Sequence, residues 1–241
     1  MGYILVTGSS RGIGRAALAA LATRGTKVIG HASRPQSEVA GNVPIIAADF
    51  SDPLSVQSLW EQALDLAGGE IDAVVNNAGR FEASRLDRSD IEWLDAWEDT
   101  LRVNLTSAAQ LSRLAVLHWQ KRGFGGRLVN VASRAAYRGD SPAHWHYAAA
   151  KGGMVAMHKT IARAYAKDGI LSFAITPGFT DTSMAGDYLA SRGGPGLLAD
   201  IPLGRVATPD EIAAIIAFCA LDAPPSMTGA VIDANGASFV R

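Results

Sequence analysis

Two side chains that can exchange a proton, Tyr147 and Lys151, stand four residues apart. On a helix this spacing puts both on one face, one turn apart. A free tyrosine has a pKa of about 10, and a nearby ammonium stabilises the phenolate and lowers that pKa. The pair therefore predicts a general acid–base site in which Tyr147 gives or takes the proton of a reacting oxygen.

Residues 7–14 read Thr-Gly-Ser-Ser-Arg-Gly-Ile-Gly and lie between an apolar run and a helical pattern. Glycines there permit a tight turn and a close approach of the backbone to a pyrophosphate. A helix that starts at Gly12 points free N–H groups at the same phosphate. This strand–loop–helix context favours a dinucleotide site. The predicted contacts in this loop are Gly8, Ser9, Ser10, Arg11, Gly12, Ile13 and Gly14.

The residues that follow indicate which dinucleotide fits. A carboxylate about 20 residues past the glycines would bind the ribose hydroxyls of NAD. Residues 15–37 contain no Asp or Glu, and the second apolar run ends at Ala32-Ser33-Arg34. A hydroxyl and a guanidinium suit a 2′-phosphate, and Arg11 could approach the same group. The sequence therefore predicts NADP(H), with a solvated surface charge as the alternative for Arg34.

Strand-like and helix-like segments alternate along the chain, as in a parallel sheet covered on both faces. Strands are predicted at residues 3–7, 27–31, 44–47, 71–76, 126–132, 171–176 and 230–234. Helices are predicted at residues 12–24, 54–67, 90–121, 146–168 and 209–221. The expected fold is a single α/β domain over residues 1–241, of the doubly wound Rossmann type with a seven-stranded parallel sheet.

Composition excludes several classes of protein. Among 241 residues, 22 basic and 23 acidic side chains give a net charge of −1, which argues against nucleic-acid or anionic-membrane partners. No apolar run is long enough to span a bilayer, and no signal peptide is present, so a cytoplasmic location is expected. The five histidines form no pair whose spacing is supported by carboxylates or cysteines, so no metal is predicted.

Several motifs occur together in a fixed order along the chain: the glycine loop, Asn76-Asn77-Ala78-Gly79, Asn104, Ser133, Tyr147-x-x-x-Lys151 and Pro177-Gly178. In this combination the whole chain resembles the short-chain dehydrogenase/reductase family, and most closely its 3-oxoacyl-[acyl-carrier-protein] reductases. The resemblance implies an NADP(H)-dependent oxidoreductase that transfers a hydride between nicotinamide and a ketone or secondary alcohol. It names Asn104, Ser133, Tyr147 and Lys151 as the catalytic residues. Ser133 would donate a hydrogen bond to the substrate oxygen and stabilise charge developing there.

The same resemblance implies further roles. Lys151 would also hold the nicotinamide ribose, and Asn104 would hold a water that links Lys151 to solvent. Asp49 and Phe50 would flank the adenine. The remaining implied cofactor contacts are Asn77, Ala78 and Gly79 at the ribose, and Pro177, Gly178, Thr180 and Thr182 near the carboxamide.

The substrate and the assembly are open at this level. Lys121, Arg122 and Arg127 could dock an acidic carrier protein, whereas Asp168 would repel one. The loop between Ser133 and Tyr147 holds the bulky residues Tyr137, His144 and Trp145, which would crowd a pantetheine arm. A free small ketone or alcohol is therefore favoured over a carrier-bound thioester. Two competing functions are an NAD-linked sugar or polyol dehydrogenase and a non-catalytic cofactor sensor.

A substrate loop is predicted at about residues 182–205. It contains an irregular glycine-rich stretch, residues 186–196, that could be a mobile lid, with a plain surface loop as the alternative. The resemblance implies a homotetramer, or a dimer, that pairs helices 104–121 and 146–168 across subunits. Apolar residues expected beyond the inward stripe of those helices are Leu105, Ala109, Met154, Met157 and Ile161.

Overall fold

The computed structural model describes residues 2–35, 43–182 and 194–241. Seven parallel strands form one sheet in the order β3-β2-β1-β4-β5-β6-β7. The strands are β1 Tyr3–Val6, β2 Val28–Ala32, β3 Ile45–Ala47, β4 Ile71–Asn76, β5 Gly126–Val131, β6 Ile170–Pro177 and β7 Val231–Ala234. The strand order reverses between β1 and β4, so this is the doubly wound topology that the alternating pattern predicts. The predicted fold class is confirmed.

Helices cover both faces of the sheet. They are α1 Gly12–Thr23, α2 Ser55–Leu66, α3 Asp90–Leu101, α4 Ser107–Arg122, α5 Ala135–Arg138, α6 Trp145–Tyr165, α7 Gly194–Ala199 and α8 Pro209–Ala217. Short helical turns follow at Ala166–Asp168 and Pro225–Met227. The start of α8 agrees with its sequence, because Pro209 occupies the first turn and Thr208 forms a capping box with Glu211.

Two apolar layers hold the sheet between the helices. On one face, Leu21 of α1 and Ile216 of α8 pack against the strands around Val75. On the other, Leu59 of α2 and Leu111 of α4 pack against Val74. All eight residues of β6 are buried. This agrees with its sequence, which is a nearly continuous apolar run rather than an alternating one. Burial on both faces keeps the strand ends fixed, and the loops at those ends carry the polar residues.

The prediction of one helix over residues 90–121 is wrong in its middle. Helix α3 ends at Leu101, a π-helical turn spans Arg102–Thr106, and α4 then continues to Arg122. A π turn inserts one extra residue and rotates the helix, so it changes which side chains face inward. A second π turn, Phe218–Asp222, likewise interrupts the helix predicted at residues 209–221.

The predictions of a substrate segment and of outward apolar residues agree with the structure only in part. Residues 183–193 of the expected substrate segment lie outside the described residues, and α7 is a helix where the sequence indicates an irregular stretch. Met154 is fully buried and packs against Ala108 and Ala132, so it does not extend the outer apolar surface. Leu105, Ala109, Met157 and Ile161 are half-buried. Within the described ranges, no helix has both the length and the apolar character needed to cross a membrane.

Candidate active site

A cavity of about 350 Å³ opens at the carboxyl ends of the central strands. Its walls come from the loops after β1 to β6, together with the π turn before α4 and the first turns of α6. Ligands of doubly wound folds bind at this edge, beside the point where the strand order reverses. The cavity joins the glycine loop at one end to Ser133 and Tyr147 at the other.

Two glycines of this loop, Gly8 and Gly14, have no room for a side chain. A Cβ at Gly14 would lie 2.1 Å from the Gly8 carbonyl oxygen, and one at Gly8 would lie 2.7 Å from Ala78 Cα. Gly8 and Gly12 also adopt positive φ angles of 64° and 55°. The loop therefore requires glycine for its shape, and it presents bare backbone to the cavity. A pyrophosphate can approach such a surface closely at the start of α1.

Side chains from the neighbouring strand hold the loop in place. Asn77 Nδ2 donates to the Thr7 and Gly8 carbonyl oxygens at 2.9 and 3.1 Å. The Thr7 hydroxyl accepts from the backbone N–H groups of Asn77 and Ala78 at 2.9 and 3.0 Å. Asn77, Ala78 and Gly79, which are predicted to contact the cofactor ribose, all line the cavity. The amide of Asn77, however, is used to support the loop.

Ser9 is predicted to contact the cofactor, but it does not line the cavity. It is buried, accepts from the His31 N–H at 2.9 Å and donates to the His31 carbonyl at 3.2 Å. Ser9 thus ties the glycine loop to the end of β2. Ser10, Arg11, Gly12, Ile13 and Gly14 do line the cavity.

His31 is a cavity residue that the sequence analysis did not select. Its Nδ1 accepts from the Gly8 N–H at 3.0 Å, and its Nε2 lies 2.8 Å from the Ala48 carbonyl oxygen. Only the neutral tautomer with hydrogen on Nε2 satisfies both contacts. Burial lowers the pKa of His31 to about 4. The ring also stacks on Phe50, with centroids 4.2 Å apart.

The predicted adenine end lies beside this stack. Ser33, Asp49 and Phe50 line the cavity, whereas Arg34 is exposed on the turn after β2 and is not part of the wall. A hydrogen bond from the Ser51 backbone and the charges of Arg80 and Arg34 lower the pKa of Asp49. Arg34 therefore lies close to the adenine end, at its rim.

The predicted catalytic side chains meet at the other end. A hydrogen bond joins the hydroxyls of Tyr147 and Ser133, and Ser133 Oγ also accepts from the Ala135 N–H at 3.1 Å. Lys151 is buried one turn further along α6, with Nζ 5.8 Å from the centre of the Tyr147 ring. That amine donates to the Val131 carbonyl at 2.8 Å. The helical spacing therefore brings the phenol and the amine to one wall, as predicted.

The expected lowering of the tyrosine pKa is not found. Burial raises the pKa of Tyr147 to about 12, an effect that the Ser133 hydrogen bond opposes and the charge of Asp140 reinforces. Burial also lowers the pKa of Lys151 to about 8. Both shifts favour the neutral form because burial disfavours the charged form of each group. In this arrangement the phenol is held protonated, ready to donate.

Asn104 lies in the π turn that the sequence did not predict. It is fully buried, and its Nδ2 donates to the carbonyl oxygens of Arg80 and Thr100 at 3.1 and 3.0 Å. Its Oδ1 accepts from the Arg80 N–H at 3.2 Å. A Cβ on Gly79 would lie 2.6 Å from Asn104 Oδ1 and 3.7 Å from Lys151 Nζ, so these three residues are close neighbours. The side chain of Asn104 locks the loop after β4 against the helix.

The segment after β6 completes the wall between the two ends. Pro177, Gly178, Thr180 and Thr182 all line the cavity. Gly178 leaves no room for a side chain, since a Cβ would lie 2.9 Å from Asn235. Thr182 reaches the glycine loop, where a Cβ on Gly12 would lie 3.1 Å from its methyl group.

Comparisons with known proteins agree with this geometry. A family model described as "Enoyl-(Acyl carrier protein) reductase" matches residues 8–236. A 3-oxoacyl-[acyl-carrier-protein] reductase of Escherichia coli is 36% identical over 242 residues, covering 98% of this chain and 96% of the relative. The chain belongs to the short-chain dehydrogenase/reductase family.

Other members of the short-chain dehydrogenase/reductase family are similar over nearly the full length. A 3-oxoacyl-[acyl-carrier-protein] reductase of Pseudomonas aeruginosa is 33% identical, covering 98% of this chain and 96% of its own. A structure from Agrobacterium tumefaciens, described as a 2-deoxy-D-gluconate 3-dehydrogenase with bound NADP, has a TM-score of 0.86 at 28% identity, with coverage of 98% and 95%. One from Beutenbergia cavernae, described as an NAD(P)-dependent gluconate 5-dehydrogenase with bound NADP, has a TM-score of 0.87 at 27% identity, with the same coverage.

Several residues in this short-chain dehydrogenase/reductase site were missed from the sequence. Phe81 stacks on His144 at 4.0 Å and meets the Tyr147 ring edge-to-face at 4.8 Å. Arg134 and Asp140 also line the cavity. Position gave a signal for Arg134, which directly follows Ser133, whereas Phe81 reaches the site only through the path of the loop after β4. Across the described ranges, no group of three or more His, Cys, Asp or Glu side chains could hold a metal ion.

Proposed function

We propose that this protein is an NADP(H)-dependent oxidoreductase that interconverts a ketone and a secondary alcohol, with Tyr147 as the proton donor and acceptor. The observation that carries the proposal is the hydrogen-bonded pair of Tyr147 and Ser133 beside buried Lys151, in the cavity that the glycine loop also lines. A proton-donating phenol and a dinucleotide cradle in one cavity are what carbonyl reduction requires.

The cofactor is NADP(H). Its nicotinamide supplies or accepts the hydride when it is bound. The loop of Gly8, Gly12 and Gly14 would hold the pyrophosphate, because a Cβ at Gly8 or Gly14 would collide with neighbouring backbone. Asp49 and Phe50 would flank the adenine, and Arg34 and Ser33 would contact the 2′-phosphate. The solved relatives described with bound NADP support this assignment.

The chain's own residues handle the proton. Ser133 would donate to the substrate oxygen and orient it toward the phenol. Burial keeps the pKa of Tyr147 at about 12, so the phenol is protonated at neutral pH and suited to reduction. Lys151, by its charge, would stabilise the phenolate left after the proton has moved, and Asn104 would position the water that returns a proton.

We also propose that the substrate is a free small carbonyl or alcohol. Two of the three basic residues that could dock an acidic carrier protein are engaged inside this fold. Arg127 donates to the Cys219 and Ala223 carbonyls at 3.0 and 2.9 Å, and Arg122 pairs with Asp72 at 2.8 Å. Asp168 accepts from Gln120 at 2.8 Å, which places a negative charge beside the end of α4. The gluconate dehydrogenases among the solved relatives also support a small substrate.

The second candidate is reduction of a carrier-bound 3-oxoacyl thioester. The near full-length similarity to 3-oxoacyl-[acyl-carrier-protein] reductases favours it, and Lys121 remains exposed at the end of α4. The two functions share the same hydride and proton chemistry. They differ in what must enter the cavity and what must bind beside it.

NADPH oxidation tests both candidates. The purified protein is assayed with a panel of small ketones, diketones and quinones, and in parallel with acetoacetyl-carrier protein. We expect turnover with at least one small carbonyl at a higher kcat/KM than with the carrier thioester. A thioester value well above every small carbonyl would establish the second candidate. Absence of NADPH oxidation with the whole panel would overturn the proposed reaction.

A further inference from the structure

Arg134 places a positive charge in the cavity wall next to the reacting groups. It directly follows Ser133, lines the same cavity as Tyr147, and its side chain is only 11% exposed. Its guanidinium lies over the ring of Phe179, 4.7 Å from the ring centre. Stacking on an aromatic ring fixes the guanidinium plane, and the N–H donors lie in that plane.

The carboxylate of Asp200, just after α7, lies near the guanidiniums of Arg134 and Arg138. Asp200 Oδ2 accepts from Arg138 Nη1 at 2.7 Å, whereas Arg134 Nη1 is 3.9 Å from the same oxygen. Asp200 is half-exposed, and the hydrogen bond from Arg138 is the largest cause that lowers its pKa. Asp200 therefore forms a close ion pair with Arg138, at 2.7 Å, and a longer one with Arg134, at 3.9 Å.

Another charge in the cavity wall is Asp140, in the middle of the segment between Ser133 and Tyr147. Its Oδ1 accepts from the Ser141 N–H at 2.7 Å and lies 3.8 Å from His144 Nδ1. An anionic substrate group would be repelled by Asp140 and attracted by Arg134. The two charges therefore orient a substrate that carries a negative group.

We propose that Arg134 binds the carboxylate of an oxo-acid substrate, so that the enzyme reduces oxo acids to hydroxy acids and oxidises hydroxy acids in reverse. The carboxylate stays unchanged while the hydride adds to the carbonyl carbon and Tyr147 protonates the carbonyl oxygen. A planar guanidinium can bind such a group with two parallel N–H···O hydrogen bonds. This inference rests on the proposed carbonyl reduction and names its substrate class.

Matched pairs of acids and methyl esters test the proposal. NADPH oxidation is measured at pH 7 with 3-oxobutanoate, 4-oxopentanoate and 5-oxohexanoate, and with the methyl ester of each. The ratio of kcat/KM for acid over ester isolates the charge of the carboxylate. For the preferred chain length we expect a ratio of about ten or more, since hydrogen bonds to charged groups contribute about 10- to 100-fold. Ratios at or below one for all three pairs would overturn the proposal.

Variants locate the effect. Arg134→Gln should bring the acid-to-ester ratio down at least tenfold, and Arg134→Lys, which keeps the charge, should retain part of it. Arg138→Gln is the matched control, because Arg138 has the same charge and contacts the same Asp200 but does not line the cavity. An equal fall of the ratio in both glutamine variants would assign the effect to Asp200 rather than to Arg134, and would contradict the proposal.

The outcomes separate this inference from the proposed function. Turnover of the esters with no preference for the acids keeps the carbonyl reductase and removes the role of Arg134. If neither acids nor esters oxidise NADPH, while other carbonyls in the wider panel do, the inference fails alone. Loss of NADPH oxidation with every carbonyl removes the proposed function itself.

Discussion

Burial is the largest cause of the pKa shifts of both Tyr147 and Lys151, the acid–base pair of this site. Lys151 is buried and Tyr147 is half-buried in the same cavity wall, and burial shifts the pKa of each toward its neutral form. The phenol stays protonated across the physiological range, while the pKa of Lys151 is lowered to about 8. The charge of the amine, and not that of the phenol, is therefore the quantity that changes near neutral pH.

A pH profile should show the titration of Lys151. As the pH rises through about 8, Lys151 loses the positive charge that would hold the ribose and stabilise the phenolate. We expect kcat/KM for NADPH, which reports groups of the free enzyme, to fall above that pH. In Lys151→Arg the fall should disappear from this range, because a guanidinium stays charged. Lys159→Arg, on the exposed face of the same helix, should keep it. A wild-type profile that is flat to pH 10 would contradict this account.

His31 gives a second pH-dependent property, this time of stability. Its pKa is lowered to about 4, against 6.5 in the unfolded chain, because burial disfavours the charged ring. The unfolded chain therefore binds the proton more readily, so the stabilisation is present above pH 6.5 and is lost as the pH falls toward 4. The shift corresponds to about 3 kcal/mol.

Urea denaturation of wild type and His31→Gln at several pH values would measure this effect. Comparing the two proteins removes the contributions of the other histidines. The free energy of unfolding of the wild type should fall relative to the variant by up to about 3 kcal/mol between pH 7 and pH 4. A difference that does not change with pH would show that His31 is not held neutral by its contacts.

At the scale of elements, the sequence predicts the sheet well and the helix geometry less well. The seven strands are read from nearly continuous apolar runs, and their bounds shift by only a residue or so because burial on both faces leaves a strong signal. The π turn at Arg102–Thr106 leaves no comparable signal, since it changes the helix by a single residue. Sequence motifs therefore select Asn104 but do not predict its inward position.

The site residues also divide into those that a local sequence pattern predicts and those that it does not. The glycine loop and the Tyr147–Lys151 pair depend on local spacing, and the structure brings them to the cavity as predicted. Ser9, His31 and Phe81 depend on contacts between distant elements. Ser9 meets His31 only because β1 pairs with β2, so no local pattern distinguishes it from the cavity-lining Ser10.

The turn after β2 should set cofactor preference. Arg34 lies there, exposed at the rim of the adenine end. Arg34→Glu replaces a charge that attracts a 2′-phosphate with one that repels it. The dissociation constant for NADPH should rise relative to that for NADH by at least about tenfold, the scale of a charged hydrogen bond. Arg15→Glu on exposed α1 makes the same charge change away from the cavity and should leave the ratio unaltered. Equal or tighter NADH binding by the wild type would refute the NADP(H) assignment.

At the scale of the whole molecule, partly exposed apolar residues lie along the π turn that precedes α4 and along α6. Leu105, Met157 and Ile161 are half-buried in the single chain. Gly153 of α6 lets this π turn approach closely, since a Cβ there would lie 2.8 Å from a methyl group of Leu105. We predict that these helices pair across subunits in a homotetramer with two-fold axes.

Light scattering at micromolar concentration measures the mass of the assembly. We expect a tetramer for the wild type and a smaller species for Met157→Glu, in which a charge would be buried between subunits. Leu54→Glu is the control, because Leu54 is 76% exposed on another part of the surface. A wild-type protein that is only monomeric would rule out the predicted assembly.

The most direct test of the central claim is the turnover of Tyr147→Phe. The variant keeps the ring that packs against Phe81 and removes only the hydroxyl that donates the proton. NADPH binding should persist, while kcat for the best carbonyl falls by about 10²-fold or more. Tyr137→Phe is the matched control, since Tyr137 lies outside the cavity and its hydroxyl accepts only from Arg241 at 3.2 Å among its described contacts. Loss of turnover in Tyr147→Phe with intact NADPH binding is the predicted result, and near wild-type turnover in that variant would contradict the account.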